Sequence, residues 1–328
     1  MKTEILEPNE ENLKKSAELI RKGGIVCFPT ETVYGLGGSA YNSETVADIF
    51  AAKGRPNDNP LIVHIGDKKD IYSVVSDVPL KARILMEKLW PAPLTMILPK
   101  NKSIVSEVTG GLDTVGVRMP AHEKACEFFR LCKVPVVGPS ANTSTRPSPT
   151  SAEHVYADMN GKIPVIIDGG KCLIGIESTV IDMTKETPVI YRPGFITPED
   201  LEPLIGETVY ALKPSEGGRV ASPGMKYRHY APLCDMELLP AEELLVRAGE
   251  LKKKGLKAVL LAKEGVMAED CGYPVYVMGP NDISYASLLY KAFGDCEKDF
   301  DVILAQSVSE EGVGRALMNR LKKAAALI

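Results

Sequence analysis

The sequence predicts an α/β protein of two domains, and three observations carry that prediction. Apolar runs of strand length alternate with segments of helical period over residues 11–205, which is the pattern of a sheet covered by helices. The alternation stops over 207–234, a stretch rich in Gly, Pro, Ser, Lys and Tyr without sustained period, and then resumes to the end. The chain has 328 residues, more than the roughly 250–300 at which a single core stops growing. The expected division is 1–206, a linker or functional loop at 207–234, and 235–328.

In order, Leu13, Ala17 and Ile20 repeat at helical spacing and end at Gly23-Gly24, which suit a helix C-terminus. Ile25-Val26-Cys27-Phe28 then reads as a buried strand. The spacing predicts a helix over 43–53, a strand over 61–65, helices over 79–89 and 121–131, a strand over 134–137 and a helix over 151–158. Strands over 164–168, 178–183 and 188–191 and a helix over 198–205 complete the first unit. Strand order and direction stay open at this stage. Beyond the linker come a strand over 235–239, a helix over 241–253, strands over 257–262 and 274–278, a helix over 284–294, a strand over 301–306 and a helix over 313–326. Leu288/Leu289 and Leu317/Leu321 fit helices covering a small, mainly parallel sheet.

Lys+Arg 39 against Asp+Glu 43 leaves a net charge of −4, so no chain-wide basic field exists to hold nucleic acid or coat an anionic membrane. The N-terminus lacks the basic and apolar regions of a signal peptide, and no apolar run approaches the roughly 20 residues that span a bilayer. Seven scattered cysteines without a Cys-x-x-Cys pair argue against a disulfide framework or a zinc site and for a reducing cytoplasm. Familiar nucleotide and hydrolase signatures fail. There is no P-loop; Gly35-Leu36-Gly37-Gly38-Ser39-Ala40 ends in Ala where a dinucleotide fingerprint needs Gly; and Gly138-Pro139-Ser140-Ala141-Asn142 ends in Asn where a nucleophile elbow needs Gly.

Six clusters remain. Pro29-Thr30-Glu31-Thr32-Val33-Tyr34-Gly35-Leu36-Gly37 crowds hydroxyls and a carboxylate after a strand, or is only a connection that favours Thr and Gly. Lys53-Gly54-Arg55-Pro56 presents two cations at a helix end, which suits a polyphosphate but also suits the helix dipole; His64 reads equally as a satisfied core histidine. Arg118 ends a short strand in Thr114-Val115-Gly116-Val117-Arg118. Ser140-Ala141-Asn142-Thr143-Ser144 with Ser148, Glu177-Ser178-Thr179-Val180, and Tyr191-Arg192-Pro193-Gly194 add hydroxyls, an amide and another cation beside strands. Together, Lys53, Arg55, Arg118 and Arg192 around one sheet would form an anion pocket.

With Trp90-Pro91-Ala92-Pro93-Leu94-Thr95, these ordered strings resemble the threonylcarbamoyl-AMP synthase family, the YrdC-like proteins, densely over residues 10–206. Ser222-Pro223-Gly224-Met225-Lys226-Tyr227-Arg228-His229-Tyr230-Ala231-Pro232 is similar to the interdomain signature of its two-domain form. Two positions depart: Ala92 and Thr145 stand where the family often has Gly. The resemblance implies a YrdC-like twisted, mixed open sheet with helices and a smaller Rossmann-like α/β C-terminal domain. It implies an enzyme that joins L-threonine, bicarbonate and ATP into threonylcarbamoyl-AMP, releasing pyrophosphate, for threonylcarbamoyladenosine modification of tRNA.

By family position, Lys53, Arg55, Asn59, Thr114, Ser140, Asn142, Ser148 and Arg192 fall to ATP, with Lys53 and Arg55 as the catalytic cations. Thr32, His64, Arg118 and Ser178 fall to threonine. Mg²⁺ is expected with ATP and no protein side chain is assigned to it; no general base is assigned. We expect 207–234 to fold over the pocket and bring Tyr227 or Tyr230 to the nucleotide. Expected partners are downstream tRNA threonylcarbamoyl-transferase proteins, with weak tRNA contact and no membrane. The rivals are an RNA-binding module of the same fold, a carbamoyl-transfer enzyme of hydrogenase maturation, and a silent regulatory domain. The second would need an acylphosphatase-like segment and Cys-rich zinc modules that this chain lacks; the third fits poorly with intact Lys53, Arg55, Ser140, Asn142 and Arg192.

Overall fold

A computed structural model describes residues 2–54, 59–211, 230–268 and 270–327. Its larger sheet contains β1 (Glu4–Leu6), β2 (Val26–Phe28), β3 (Gly35–Ser39), β4 (Ile62–His64), β5 (Leu94–Pro99), β6 (Thr114–Arg118), β7 (Val136–Gly138), β8 (Val165–Ile167), β9 (Thr179–Asp182), β10 (Val189–Arg192) and β11 (Val209–Tyr210). The strands lie in the order β1-β8-β2-β3-β7-β4-β6-β5-β9-β10-β11. The sheet is mixed: β1 with β8, β2 with β8, β4 with β6, β5 with β9 and β10 with β11 are parallel, and the other pairs antiparallel.

Helices cover both faces. On one, Glu10–Arg21 and Glu123–Cys132 bury Leu13, Ala17, Ile20, Ala125, Phe128 and Phe129 against Val26, Phe28, Val136, Val165 and Ile167. On the other, helices Ser43–Lys53, Leu80–Lys88, Ala152–Met159 and Pro198–Ile205 pack Ile49, Leu85, Val155 and Leu201 into a core with Val63, Leu94, Val117 and Val137. Asn9, Asn42 and Ser151 accept backbone N–H groups at the starts of three of these helices, satisfying donors that would otherwise have no intrahelical partner.

The second sheet holds β12 (Asp235–Leu239), β13 (Ala258–Ala262), β14 (Val275–Val277) and β15 (Val302–Gln306) in the order β12-β15-β13-β14, all parallel. Helices Asp282–Cys296 and Val313–Ala324 cover one face and Leu244–Lys253 the other. Leu289, Leu317 and Leu321 are fully buried there, as their spacing predicted. This core also takes in Val33, Ile176 and Tyr230, so the second module is packed directly on loops of the first. Gly175 marks the seam. Its φ is +76°, and a Cβ there would sit 2.5 Å from the main-chain oxygen of Ser287.

The sequence reading passed over four strands. In β3, Gly-Leu-Gly-Gly-Ser carries too few side chains to display alternation, although all five residues are buried. The short β1 and β11 become strands only by pairing with β8 and β10, whose partner residues lie 161 and 20 positions away in sequence. β5, buried over Leu94–Leu98, reads as part of a Pro-rich motif until it is paired on both sides. The predicted helix over 284–294 is longer, Asp282–Cys296, and its earlier start is set by Asn281 and Ser284, which cap each other reciprocally. The predicted helix over 241–253 begins with a 3₁₀ turn at Ala241–Glu243.

Leu317 is fully buried between helix and sheet, whereas Leu80 is 73% exposed at a helix start. Leu317→Ala is expected to lower unfolding free energy by about 2–5 kcal/mol, and Leu80→Ala to stay within about 0.5 kcal/mol of wild type. Denaturant unfolding of both variants checks this.

Candidate active site

Strand pairing brings the site together across the middle of the larger sheet. Parallel pairing sets His64 at the end of β4 beside Arg118 at the end of β6. The antiparallel neighbour β7 then leads through Gly138 into Ser140 and Asn142. From the far side of the sheet, β10 ends at Arg192 and β9 starts just after Ser178. The turn after β2 closes the group. Thr30 Oγ1 donates to the Val33 carbonyl at 2.6 Å and accepts from the Thr32 and Val33 N–H groups, which holds residues 31–33 in a tight local turn.

Arg118 is the centre of one half. Its Nη1 donates to Thr32 Oγ1 at 2.9 Å, and its Nη2 lies 2.6 Å from Glu31 Oε2. That ion pair is off the hydrogen-bond direction: Nε and Nη2 of Arg118 and both Glu31 oxygens are buried without an aligned partner. A guanidinium so placed keeps donors for a carboxylate. His64 Nδ1 is buried and unpartnered as well. Burial, and then the charge of Arg118, push the His64 pKa down to about 3, so its imidazole is neutral at ordinary pH.

The other half is built on Lys53, which ends the helix Ser43–Lys53 and is 2% exposed. Its Nζ donates to the main-chain oxygens of Ser140 at 2.5 Å and Asn142 at 2.6 Å. Ser140 Oγ donates to Asn142 Oδ1 at 2.5 Å, and Asn142 Nδ2 donates to the Thr143 and Arg146 carbonyls, so the 140–146 loop is a closed network around one ammonium. Across from it, Arg192 donates from Nε to the Ser178 carbonyl and from Nη2 to Ser178 Oγ, both at 3.0 Å. Ser178 Oγ also bonds Thr95 Oγ1 at 2.8 Å. Gly194 is required here: a Cβ would lie 2.2 Å from the Thr179 nitrogen, so any side chain would push the Arg192 segment off Ser178.

One concavity is lined by Thr32, Lys53, His64, Arg118, Ser140, Asn142, Ser148, Ser178, Arg192 and Tyr230. Thr114 and Asn59 do not line it. Thr114 begins β6, four residues before Arg118, and Asn59 is buried with both amide atoms unpartnered. Arg55 and Tyr227 lie outside the described residues, as does most of the expected lid, 212–229.

Sequence reasoning missed Glu31 and Glu177 as individual residues, though both stood inside quoted strings. Glu177 accepts from Ser148 Oγ at 2.6 Å and pairs with Arg320 Nε at 2.9 Å. Burial alone would raise its carboxyl, but Arg320, Arg192 and the Ser148 hydroxyl together outweigh that and hold it at about 2. Arg320 had no signal at all, being one charged residue in an amphipathic helix. Thr145 and Tyr230 also line the cavity and both have left-handed backbone, φ 74° and 66°, with the Ala231 N–H donating to the Thr145 carbonyl at 3.0 Å. The left-handed φ is the physical reason why Gly suits position 145.

Two outcomes follow from these groups. The folded-state pKa of His64 is depressed below the unfolded value near 6.5, so its contribution to stability is complete above pH ~6.5 and is lost as pH falls toward 3. The difference in unfolding free energy between wild type and His64→Gln is expected to fall by about 1.4 kcal/mol per pH unit between pH ~6 and ~4. Equilibrium unfolding across that range measures it. For Thr145→Gly, relief of about 1–3 kcal/mol of backbone strain exceeds the roughly 0.5–1 kcal/mol entropic cost of Gly, and thermal unfolding should show a net gain of stability.

Comparison with known proteins identifies relatives along both modules. Residues 18–194 match the sequence family described as "Telomere recombination" (Sua5/YciO/YrdC), and residues 196–326 match "Threonylcarbamoyl-AMP synthase, C-terminal domain". The threonylcarbamoyl-AMP synthase of Pyrococcus abyssi is 44% identical over 326 residues, covering 96% of this chain and 94% of that protein. That of Bacillus subtilis is 41% identical, covering 98% and 95%. The crystal structure of P. abyssi Sua5 complexed with L-threonine superposes with a TM-score of 0.91 at 41% identity, covering 99% of this chain and 98% of that one. Escherichia coli YciO, at 22% identity and TM-score 0.54, shares the fold of the first module. Matched along both modules by sequence and by structure, the chain belongs to the threonylcarbamoyl-AMP synthase family in its two-domain form.

Proposed function

We propose that this chain is a threonylcarbamoyl-AMP synthase acting on L-threonine, bicarbonate and ATP, the product serving threonylcarbamoyladenosine modification of tRNA. The observation that carries the reading is a single concavity with two chemically distinct halves: Arg118 with Thr32 and a neutral His64, and Lys53 with Arg192 and the Ser140–Asn142 loop. The first suits an amino-acid carboxylate and hydroxyl, the second a polyphosphate. P. abyssi Sua5, the structural relative described above, has been crystallised with L-threonine.

In this reading the threonine carboxylate takes the unaligned donors of Arg118, and Thr32 or His64 reads the side-chain hydroxyl. Ser178, bonded to Arg192, joins the amino-acid half to the phosphate half. The threonine amine and bicarbonate give a carbamate and water. The carbamate oxygen attacks the ATP α-phosphorus, the bond to the bridging oxygen breaks, and pyrophosphate leaves. Lys53 and Arg192 supply fixed positive charge where that negative charge accumulates, and Arg55 adds to it by family position. The site's rate comes from positioning a labile carbamate and excluding water.

Mg²⁺ is read as part of the substrate MgATP. The carboxylate bordering the cavity, Glu177, is already bonded to Ser148, Tyr290 and Arg320, and among the described residues no group of three or more His, Cys, Asp or Glu is placed to hold a metal ion. Partners are taken to be downstream tRNA threonylcarbamoyl-transferase proteins, with tRNA contact kept weak by a net charge of −4. Seven free cysteines support a reducing cytoplasm, and among the described residues no helix is long and apolar enough to cross a membrane.

Pyrophosphate release from MgATP should require both L-threonine and bicarbonate. Lys53→Ala is expected to lower kcat about 10²–10³-fold, and Arg118→Ala to raise the KM for threonine more than that for ATP. Release at an undiminished rate without threonine would reject the assignment.

A further inference from the structure

The buried carboxylate of Glu177 belongs to the first module, but most of its partners come from the second. Arg320, on the helix Val313–Ala324, is 0% exposed and donates from Nε to Glu177 Oε2 at 2.9 Å. The same guanidinium donates from Nη2 to the Glu177 main-chain oxygen at 3.2 Å and from Nη1 to the Pro193 main-chain oxygen at 2.7 Å. Tyr290, on the helix Asp282–Cys296, donates to the Glu177 carboxylate with O···O distances of 3.1 and 3.2 Å. Its ring stacks on Tyr230, with centroids 5.5 Å apart and an interplanar angle of 26°. Arg320 itself lies over Tyr230, 5.7 Å from the ring centroid.

The main-chain oxygens that Arg320 holds belong to the residues adjoining Ser178 and Arg192. Those two side chains bond each other and line the cavity, whereas Arg320 and Tyr290 do not reach it. One rigid fork therefore ties the start of β9 to the end of β10 at the point where the two halves of the site meet. A lysine in its place could carry the charge but not the planar geometry that meets the Glu177 carboxylate and both main-chain oxygens.

We infer that Arg320, supported by Tyr290, is a positioning residue of the reaction: through Glu177 and Pro193 the second module sets the placement of Ser178 and Arg192. A displacement of about 1 Å at such groups is enough to cost on the order of 10²-fold in rate. The role explains in physical terms why a module with a sheet of its own is packed against the loops around Glu177 and Pro193.

The test uses the full chain carrying Arg320→Lys, Arg320→Gln or Tyr290→Phe. For each, kcat and KM for pyrophosphate release, calorimetric affinities for ATP and L-threonine, and the thermal unfolding midpoint are measured. Arg320→Lys is expected to remain folded at the assay temperature yet lose about 10–100-fold in kcat, so that restoring the charge does not rescue. Tyr290→Phe, which keeps the aromatic stack and loses its bonds to Glu177, is expected to lose about 3–10-fold. Wild-type kcat and KM in a folded Arg320→Lys would overturn the inference, as would activity losses that follow only the unfolded fraction. Should the Arg320 variants fail to fold, unchanged kinetics in Tyr290→Phe would overturn it equally. The inference rests on the synthase reading for its assay only. If wild type released no pyrophosphate, that reading would fall, while ligand affinities altered in the folded variants would still support the positioning role, and unaltered affinities would reject it.

Discussion

The structure turns on how a small volume holds four buried cations against two buried carboxylates. Lys53, Arg118, Arg192 and Arg320 are each no more than 6% exposed, and among the described residues the carboxylates that face them are Glu31 and Glu177. His64 is neutral at ordinary pH, and burial, ahead of its contact with Glu177, pushes the Tyr290 hydroxyl well above its ordinary pKa, so neither adds charge. Buried charge is costly unless it is paired and hydrogen-bonded. The protein meets that cost largely with main-chain carbonyls: those of Ser140 and Asn142 for Lys53, Ser178 for Arg192, and Glu177 and Pro193 for Arg320. Neutral carbonyls satisfy the donors without cancelling the charge, and the cavity stays positive for an anionic ligand.

That choice of partners explains the local backbone. A carbonyl can be aimed only by fixing the chain that carries it, so each cation brings a constrained segment: the 140–146 network, the turn 30–33, and the crossing of 192–194 over 178–179. Arg192 is buried, and that burial pushes its pKa down even beside Glu177. The second module extends the same logic, placing a third guanidinium, that of Arg320, behind the site rather than in it.

Much of the fold was legible because alternation of strand and helix is a local property. The elements over 43–53, 198–205 and 235–239 appear with the same bounds, since each has an apolar stripe and a clear stop. What escaped was whatever only pairing creates: the Gly-rich β3, and the short β1 and β11. The candidate site was legible as strings because hydroxyls, amides and cations clustered after strands. Which members of a string meet a buried cation was not, and so Glu31 and Glu177 were passed over, while Thr114 and Asn59, outside the cavity lining, were carried forward.

The sequence alone determined the α/β class, the two-part organisation, the family and the residue types available to bind an amino acid and a polyphosphate. Those depend on short-range pattern and on strings that survive in linear order. Tertiary structure decided that His64 stands beside Arg118, that Lys53 is a hub for a loop nearly 90 residues away, and that Arg320 reaches across 143 positions to Glu177. These are consequences of strand register and domain packing. Both are set by the sum of many weak contacts distant in the chain, which no local reading of residues contains.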